Sequence, residues 1–228
     1  MPEPHTNGLG NIEFEVLRED GQWLDYLPVY EYQNLSFDKM ACVTFSFLNI
    51  LEIISIRRYT HQFDWSDRFT AKMSGTTFNG NYFYKVFSSA LNDGLVSDLF
   101  WNSLIGNASW SEWYQEPSQL AKELAEQNKK ELDIGMEWVS EPLHPEKIME
   151  ALKYSPLWIS LFAYGILKDG IYQKTDKMPN HAVTLIGYKE GEYWLIFDHY
   201  KGNEIRKVAW DVMFGGVAKV NFKWKSKE

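Results

Sequence analysis

Asn180-His181-Ala182-Val183-Thr184-Leu185-Ile186-Gly187-Tyr188 and, four residues on, Tyr193-Trp194-Leu195-Ile196-Phe197-Asp198-His199-Tyr200 read as the two arms of a β-hairpin. Both are short runs of β-branched and aromatic residues, and Glu190-Gly191 between them is a turn signal. With a two-residue turn at that dipeptide, Lys189 faces Glu192 and the numbers of facing residues sum to 381 along the pair. His181 then faces Tyr200, and Val183 faces Asp198. Because side chains alternate across a strand, these four share one face, with Asp198 diagonal to His181. A carboxylate so placed can orient an imidazole and favour its charged form. Taken alone, the pair also fits a plain cross-strand contact at a surface, and a slip of one residue would present His199 instead of Asp198. The apolar run Leu195-Ile196-Phe197 marks Asp198 as the terminal polar residue of its strand.

Working outward, the chain from 157 onward keeps this texture, in LWISLFAY, RKVAW and AKVNFKW as well as the hairpin, and predicts an antiparallel sheet. The preceding part reads differently. Residues 40–56 are apolar nearly all round and follow Ser36 and Asp38, which predicts a central buried helix. Further helices are expected near 65–73, opened by Ser66, at 82–91 before Asn92-Asp93-Gly94, at 117–132 capped by Ser118, and at 145–153. Residues 14–32 suggest one or two irregular strands around Glu19-Asp20-Gly21. Residues 1–12 read as a terminal arm. Helices first and strands later predict an α+β protein in one unit, 1–228, with a mainly helical lobe at about 37–155, a β lobe at about 157–224 and a cleft between them.

Composition narrows the partners. The formal net charge of −8 argues against nucleic acid, whose binders concentrate Lys and Arg on one face. No apolar run approaches the ~18 to 20 residues of a membrane helix, and the first residues lack the layout of a secretion signal. A single cysteine excludes an intrachain disulfide and suits a reducing compartment. These features lead to the expectation of a cytoplasmic or virion-associated protein without signal peptide, cofactor or metal.

The lone cysteine, Cys42, falls in the first turn of the central helix. There, unpaired backbone N–H groups and the helix dipole favour a thiolate. A buried, inert cysteine is the commoner case. A nucleophile needs a base, and of the five histidines His5 lies in the arm, His61 follows a helix end and His144 lies between prolines in a loop. Of the other two, His181 begins a strand with Asp198 diagonal to it, whereas His199 is the alternative under a one-residue slip.

These segments together resemble the papain-like cysteine peptidases. Ala41-Cys42-Val43-Thr44-Phe45-Ser46, with Leu51-Glu52, is similar to the family's nucleophile helix, with Val43 in place of an aromatic. Residues 27–33, ending in Gln33, resemble the segment that carries the oxyanion-hole glutamine, although Gln33 precedes Cys42 by nine residues rather than the usual six. Trp65-Ser66-Asp67-Arg68 looks like the family's Leu-Ser-Glu-Gln helix start. Asn79-Gly80-Asn81-Tyr82 is similar to its Asn-Gly-Gly-Tyr turn, with Asn81 for the second glycine. Asn180-His181-Ala182 and Ile196-Phe197-Asp198-His199-Tyr200-Lys201-Gly202 match the strands bearing the base and its partner, with Asp198 for an asparagine and Tyr200 for a tryptophan. His181 lies 139 residues after Cys42, within the ~130 to 150 usual for such enzymes.

The resemblance implies a two-lobe papain-like fold in which Cys42, His181 and Asp198 are catalytic and Gln33 helps to stabilise the oxyanion. It implies substrate contacts at Gly80, Asn81, Asn180, Ala182 and Tyr200. The expected activity is cleavage of amide bonds in a protein or peptide. Alternatives are an amidase acting on peptidoglycan peptides, as a virion or tail component, and an inactive papain-fold scaffold in a larger protein assembly. The scaffold reading rests on Val43, the shifted Gln33, Asn81 and Tyr200. No propeptide of the family's kind precedes the nucleophile helix, so another control is expected.

Overall fold

A computed structural model of the chain describes residues 13–105, 108–202 and 204–225; the expected arm at 1–12 lies outside the described residues. Its organising element is helix α1, Cys42–Tyr59, in which every residue from Val43 to Ser55 is buried. A helix apolar on all sides must be covered on all sides, and each fully buried Leu, Ile or Phe contributes about 1.5–3 kcal/mol relative to exposure. Helices α2 (Asp67–Met73) and α3 (Phe83–Asn92) pack against α1, and the central strands of one large sheet also cover it. The Ser66 hydroxyl caps α2 by accepting the Phe69 N–H at 3.1 Å. Two further helices, α4 (Trp110–Trp113) and α5 (Gln119–Glu131), complete the helical lobe, and Ser118 caps α5.

The sheet has eight strands: β1 (Leu132–Trp138), β2 (Leu157–Leu161), β3 (Leu167–Lys168), β4 (Ile171–Tyr172), β5 (His181–Lys189), β6 (Tyr193–Phe197), β7 (Ile205–Ala209) and β8 (Gly216–Trp224). Their order is β1-β8-β2-β5-β6-β7-β4-β3, antiparallel throughout except where β4 runs parallel to β7. The inner face meets α1 through Trp158, Val220 and Phe222, whereas Val183, Leu185, Trp194 and Ile196 pack beneath with helix α6 (Pro145–Leu152) and Trp23. Strand β5 is buried along nearly its whole length. Two bonds set α1 along the sheet: the indole of Trp158 in β2 donates to the Ser46 hydroxyl at 2.8 Å, and the hydroxyl of Thr184 in β5 donates to the Ser46 carbonyl at 3.0 Å. They bring the first turn of α1 to the first residues of β5.

The architecture is α+β with a helical and a β lobe, and three expectations change. Residues 14–32 form no strand; among them only Leu24–Tyr26 makes a 3-10 turn. The segment is a strap held by single bonds, Leu17 N–H to the Lys153 carbonyl at 2.9 Å and Trp23 N–H to the Ile186 carbonyl at 2.8 Å, with no strand ladder beside it. Strand β1 emerges directly from α5 and pairs with β8 along its full length, so the mainly helical half also supplies an edge of the sheet. The β5–β6 turn spans three residues, with Lys189 opposite Tyr193 rather than Glu192. A bulge at Ile186 removes the extra residue, so that Thr184 faces Phe197, as the two-residue turn would also have placed them. Gly187 permits this bulge, since a Cβ there would stand 2.3 Å from the Gln22 side-chain oxygen.

Candidate active site

Cys42 begins α1 after an N-cap residue, Ala41, that has no side chain to cap with. The Gln33 side-chain oxygen accepts the Ala41 N–H at 3.1 Å. That bond identifies the oxygen of the amide and leaves its NH2 end as the donor beside the helix start. The Gln33 backbone is held by its N–H to the His199 carbonyl at 3.0 Å and by the Lys39 N–H at its own carbonyl, 3.1 Å away. The longer interval to Cys42 therefore forms a loop whose end still returns Gln33 to the helix.

His181 opens β5 and is 7% exposed. Its Nε2 lies 3.0 Å from Asp198 Oδ1, and the ring also engages the Cys42 side chain, for which Nδ1 is the nitrogen left. The ladder stops at Phe197, and Asp198 donates its N–H to the Glu204 carbonyl at 2.7 Å, turning its carboxylate inward. That carboxylate, fully buried, is bonded on both oxygens. Oδ2 accepts from Arg206 Nε at 2.9 Å and from the Tyr164 hydroxyl. Arg206 lies over the rings of Tyr164 and Tyr172 and donates to the Tyr172 hydroxyl at 3.1 Å.

Burial by itself would depress the His181 imidazole, but the hydrogen bond to Asp198, that to Cys42 and the charge of Asp198 raise it to about 9. Burial would likewise raise Asp198, yet the bond and charge of His181, with the Tyr164 hydroxyl, hold it well below the ordinary carboxylate range. The imidazole is thus protonated and the carboxylate ionised at neutral pH. His199, wholly buried, is pushed down to about 3, chiefly by burial. Its Nε2 meets the Ala182 carbonyl at 3.1 Å, so Nε2 carries the hydrogen and Nδ1 is bare, 3.6 Å from Asp198 Oδ1.

Donor atoms of His181, Asp198 and His199 lie within 4.8 Å of one another. The first two are bonded together and all three are buried.

A cleft of about 510 Å³ opens at Cys42 and His181. Gly80, Asn81, Asn180 and Ala182 line it, as do Phe83, Trp138 and Val217. Gly80 takes a left-handed conformation at φ 81° in a tight turn with Thr77. The Asn81 side chain is spent bracing that turn, donating to the Ser74 hydroxyl at 2.9 Å and the Thr76 hydroxyl at 3.0 Å. Tyr200 does not line the cleft. Its ring meets His181 edge-on at 5.2 Å and its hydroxyl bonds Asp38 across the lobes.

Sequence reasoning missed Arg206, Tyr164 and Tyr172. Arg206 was within reach: Ile196 faces Arg206 and Asp198 lies opposite Glu204, so period two puts Arg206 diagonal to Asp198. Tyr164 and Tyr172 come from segments without such a register.

No protein-family model matches the chain, and no curated protein is similar to it in sequence. Solved structures are similar in fold. Bromelain from Ananas comosus in complex with the E64 inhibitor superimposes with a TM-score of 0.60 at 17% identity, over 88% of this chain and 97% of that one. The Carica candamarcensis cysteine protease CMS1MS2 in complex with E-64 gives 0.64 at 14% identity, over 88% and 96%. A recombinant stem bromelain precursor gives 0.62 at 15%, over 90% and 70%. The fold is papain-like.

Proposed function

We propose that this chain is a cysteine hydrolase that cleaves amide bonds in proteins or peptides, with Cys42 as nucleophile, His181 as base and acid, and Asp198 as the group that holds the imidazole. The observation that carries this reading is the buried imidazole held between a thiol at a helix start and a carboxylate engaged on both oxygens. A thiol beside a charged imidazole gives up its proton readily, and the thiolate attacks the substrate carbonyl carbon. The Gln33 NH2 and the Cys42 backbone N–H, both at the start of α1, receive the oxyanion. His181 then protonates the leaving amine, and an acyl-thioester remains on Cys42. Water, giving its proton to His181, attacks the thioester, releases the acid and restores the thiolate beside the charged imidazole.

The apolar walls of the cleft, Phe83, Trp138 and Val217, favour a peptide that presents a large apolar side chain near the cut bond. Its openness supports a working enzyme over a scaffold, in which a plugged cleft or a distant imidazole is expected. Two of the three similar structures hold E-64, which makes that inhibitor a useful probe.

The test is the rate of Cys42 alkylation by iodoacetamide against pH, read by intact mass, in wild type and His181→Ala, followed by E-64 labelling and hydrolysis of casein and of muropeptides. Labelling that stays fast well below pH 8 and collapses in the variant is expected, with a mass adduct from E-64 and turnover of casein. An ordinary thiol profile, unchanged by the mutation, would rule out the hydrolase; turnover of muropeptides alone would transfer the activity to cell-wall peptides.

A further inference from the structure

Ten residues after Cys42, about 15 Å along α1, a second group of ionisable side chains meets. Glu52 is 2% exposed and accepts the Trp65 N–H at 3.0 Å. Glu31, half-buried, lies two residues before Gln33, and Asp64 is exposed. Oxygens of these three carboxylates lie within 4.8 Å of one another. Asp67, the first residue of α2 and 2% exposed, shares a hydrogen bond with the Glu31 carboxyl, while its buried Oδ2 has no partner. Asp98, whose N–H bonds the Asp64 carbonyl at 2.9 Å, adds another negative charge.

The positive groups that face this cluster are committed elsewhere. Lys39, in the field of Asp67, donates to the carbonyls of Gln33 and Leu35, and Arg68, in the field of Asp98, donates to those of Trp113 and Glu112. Among the described residues no ion pair reaches Glu31, Glu52, Asp64, Asp67 or Asp98. Carboxylates buried side by side without a cation must take up protons or bind one.

We propose that Glu31, Glu52 and Asp64, backed by Asp67, bind one calcium ion. Calcium–oxygen distances of ~2.3 to 2.6 Å let ligands on one ion stand up to about 5 Å apart, a limit within which these three oxygens fall. The donors are all oxygen, which suits calcium, magnesium or manganese and not zinc or copper. Carboxylates of three different burials, set at the strap, at α1 and before α2, give an irregular shell, which calcium's flexible coordination accepts and magnesium's near-octahedral demand does not. The ion would tie the strap carrying Gln33 to α1 and to the residues before α2.

Without the ion, protons hold the cluster together. Burial, then the charges of Asp64 and Asp98, raises Glu31 to about 8, and burial with Asp98 raises Asp64 to about 6. Burial and neighbouring carboxylates carry Glu52 and Asp67 well above the ordinary range. Calcium must displace these protons, so it binds more tightly as pH rises.

The experiment is calorimetric titration of the EDTA-treated full-length chain with CaCl2 at pH 8 and pH 5.5, in buffers of differing ionisation enthalpy. Saturable binding of a single ion with proton release is expected at pH 8, weakened roughly tenfold or more at pH 5.5. It is expected to be lost in Glu31→Gln and Asp64→Asn and kept in Cys42→Ala, which separates the site from the hydrolase reading. Circular dichroism confirms folding, and Asp64, being exposed, is the safer of the two substitutions. No saturable heat at millimolar CaCl2 and pH 8 overturns the proposal, as does binding that survives both substitutions. A higher melting temperature of Glu31→Gln at pH 8, with no calcium response in wild type, assigns the cluster to shared protons and overturns it too.

Discussion

Replacing Asp198 by asparagine is a near-isosteric change that the bonding around Asp198 makes severe. Oδ1 faces the Nε2–H of His181, and Oδ2 faces two donors, Arg206 Nε at 2.9 Å and the Tyr164 hydroxyl. A carboxylate accepts at both ends, whereas an amide accepts at one. With its oxygen toward Arg206, the introduced amide would point its NH2 at His181, so that Nε2 must lose its hydrogen. The imidazole would then be neutral, with its hydrogen on Nδ1, the wrong form to take a proton from Cys42. With the amide reversed, NH2 would meet the guanidinium. Keeping the imidazole charged therefore sets a buried donor against a donor in either orientation, at about 1–3 kcal/mol, a factor of roughly 5 to 150 in the population of the charged pair. The His181 titration point is expected to fall from about 9 to the ordinary 6.5 or lower, since burial still depresses it and its first supporting partner is gone.

A second substitution tests the cause. Arg206→Met removes the guanidinium, and the Tyr164 hydroxyl can accept from the amide as well as donate. In Asp198→Asn/Arg206→Met the amide oxygen is free to turn to His181, and partial recovery is expected. The assay is the imidazole carbon titration by NMR, with His181→Gln to assign the signal, alongside iodoacetamide labelling of Cys42 at pH 6. His199, held near 3, should stay flat across pH 5 to 10 and serves as an internal control. A wild-type titration in the single variant, or a double variant no better than the single, would refute the reasoning.

Three further outcomes follow from the same geometry. His181 has a raised folded value, so its contribution to stability is complete below about 6.5 and is lost as pH rises through about 9, and its size is about 3 kcal/mol. Because Glu31 adds a slope of the same sign near pH 8, the quantity to measure is the difference in urea unfolding between wild type and Asp198→Asn across pH 6 to 10. Gln33→Ala is expected to lower turnover of a peptide substrate by about 100- to 1,000-fold with little change in Cys42 labelling, because an oxyanion donor acts only in the transition state; equal loss in both assays would assign Gln33 to shaping the helix start. Gly94→Ala places a Cβ 2.1 Å from the Ala125 carbonyl oxygen at a φ of 79°, so a clear drop in melting temperature is expected, and an unchanged value would refute the packing of that turn against α5.

The legible parts of this chain are those with a strong period or a strong cap. The buried helix at Cys42–Tyr59 declares itself through an apolar run that no half-exposed element carries, and Ser66 and Ser118 mark helix starts that the structure keeps. The hairpin register reached the right pairing at Thr184–Phe197 although its turn is one residue longer than expected, because the bulge at Ile186 restores the count. The bulge is met by Gln22 and Trp23, which bond the Tyr188 and Ile186 backbone, contacts more than a hundred and sixty residues apart that no local pattern records. The strap at 14–32 misled for the same reason: its apolar residues are anchors for distant backbone rather than a strand face. Strand β1 was readable, since Leu132, Ile134, Met136 and Trp138 alternate, but it follows α5 without a break and its period is hidden by the helix formers before it. At the site, chemistry on regular elements could be placed by arithmetic, whereas Tyr164, delivered by a loop, could not.

Helix α1 lies in the same apolar cluster as Phe83 and Phe87 on one side and Met136, Trp158, Val220 and Phe222 on the other. Neither half of the chain therefore owns a complete interior. A fragment ending near residue 155 would leave the helix with a bare flank where the sheet belongs, and the complementary fragment would leave the sheet without its lid. Unfolding is expected to be one concerted event, and the thiol and its imidazole, carried by opposite halves, should part only when the whole molecule melts.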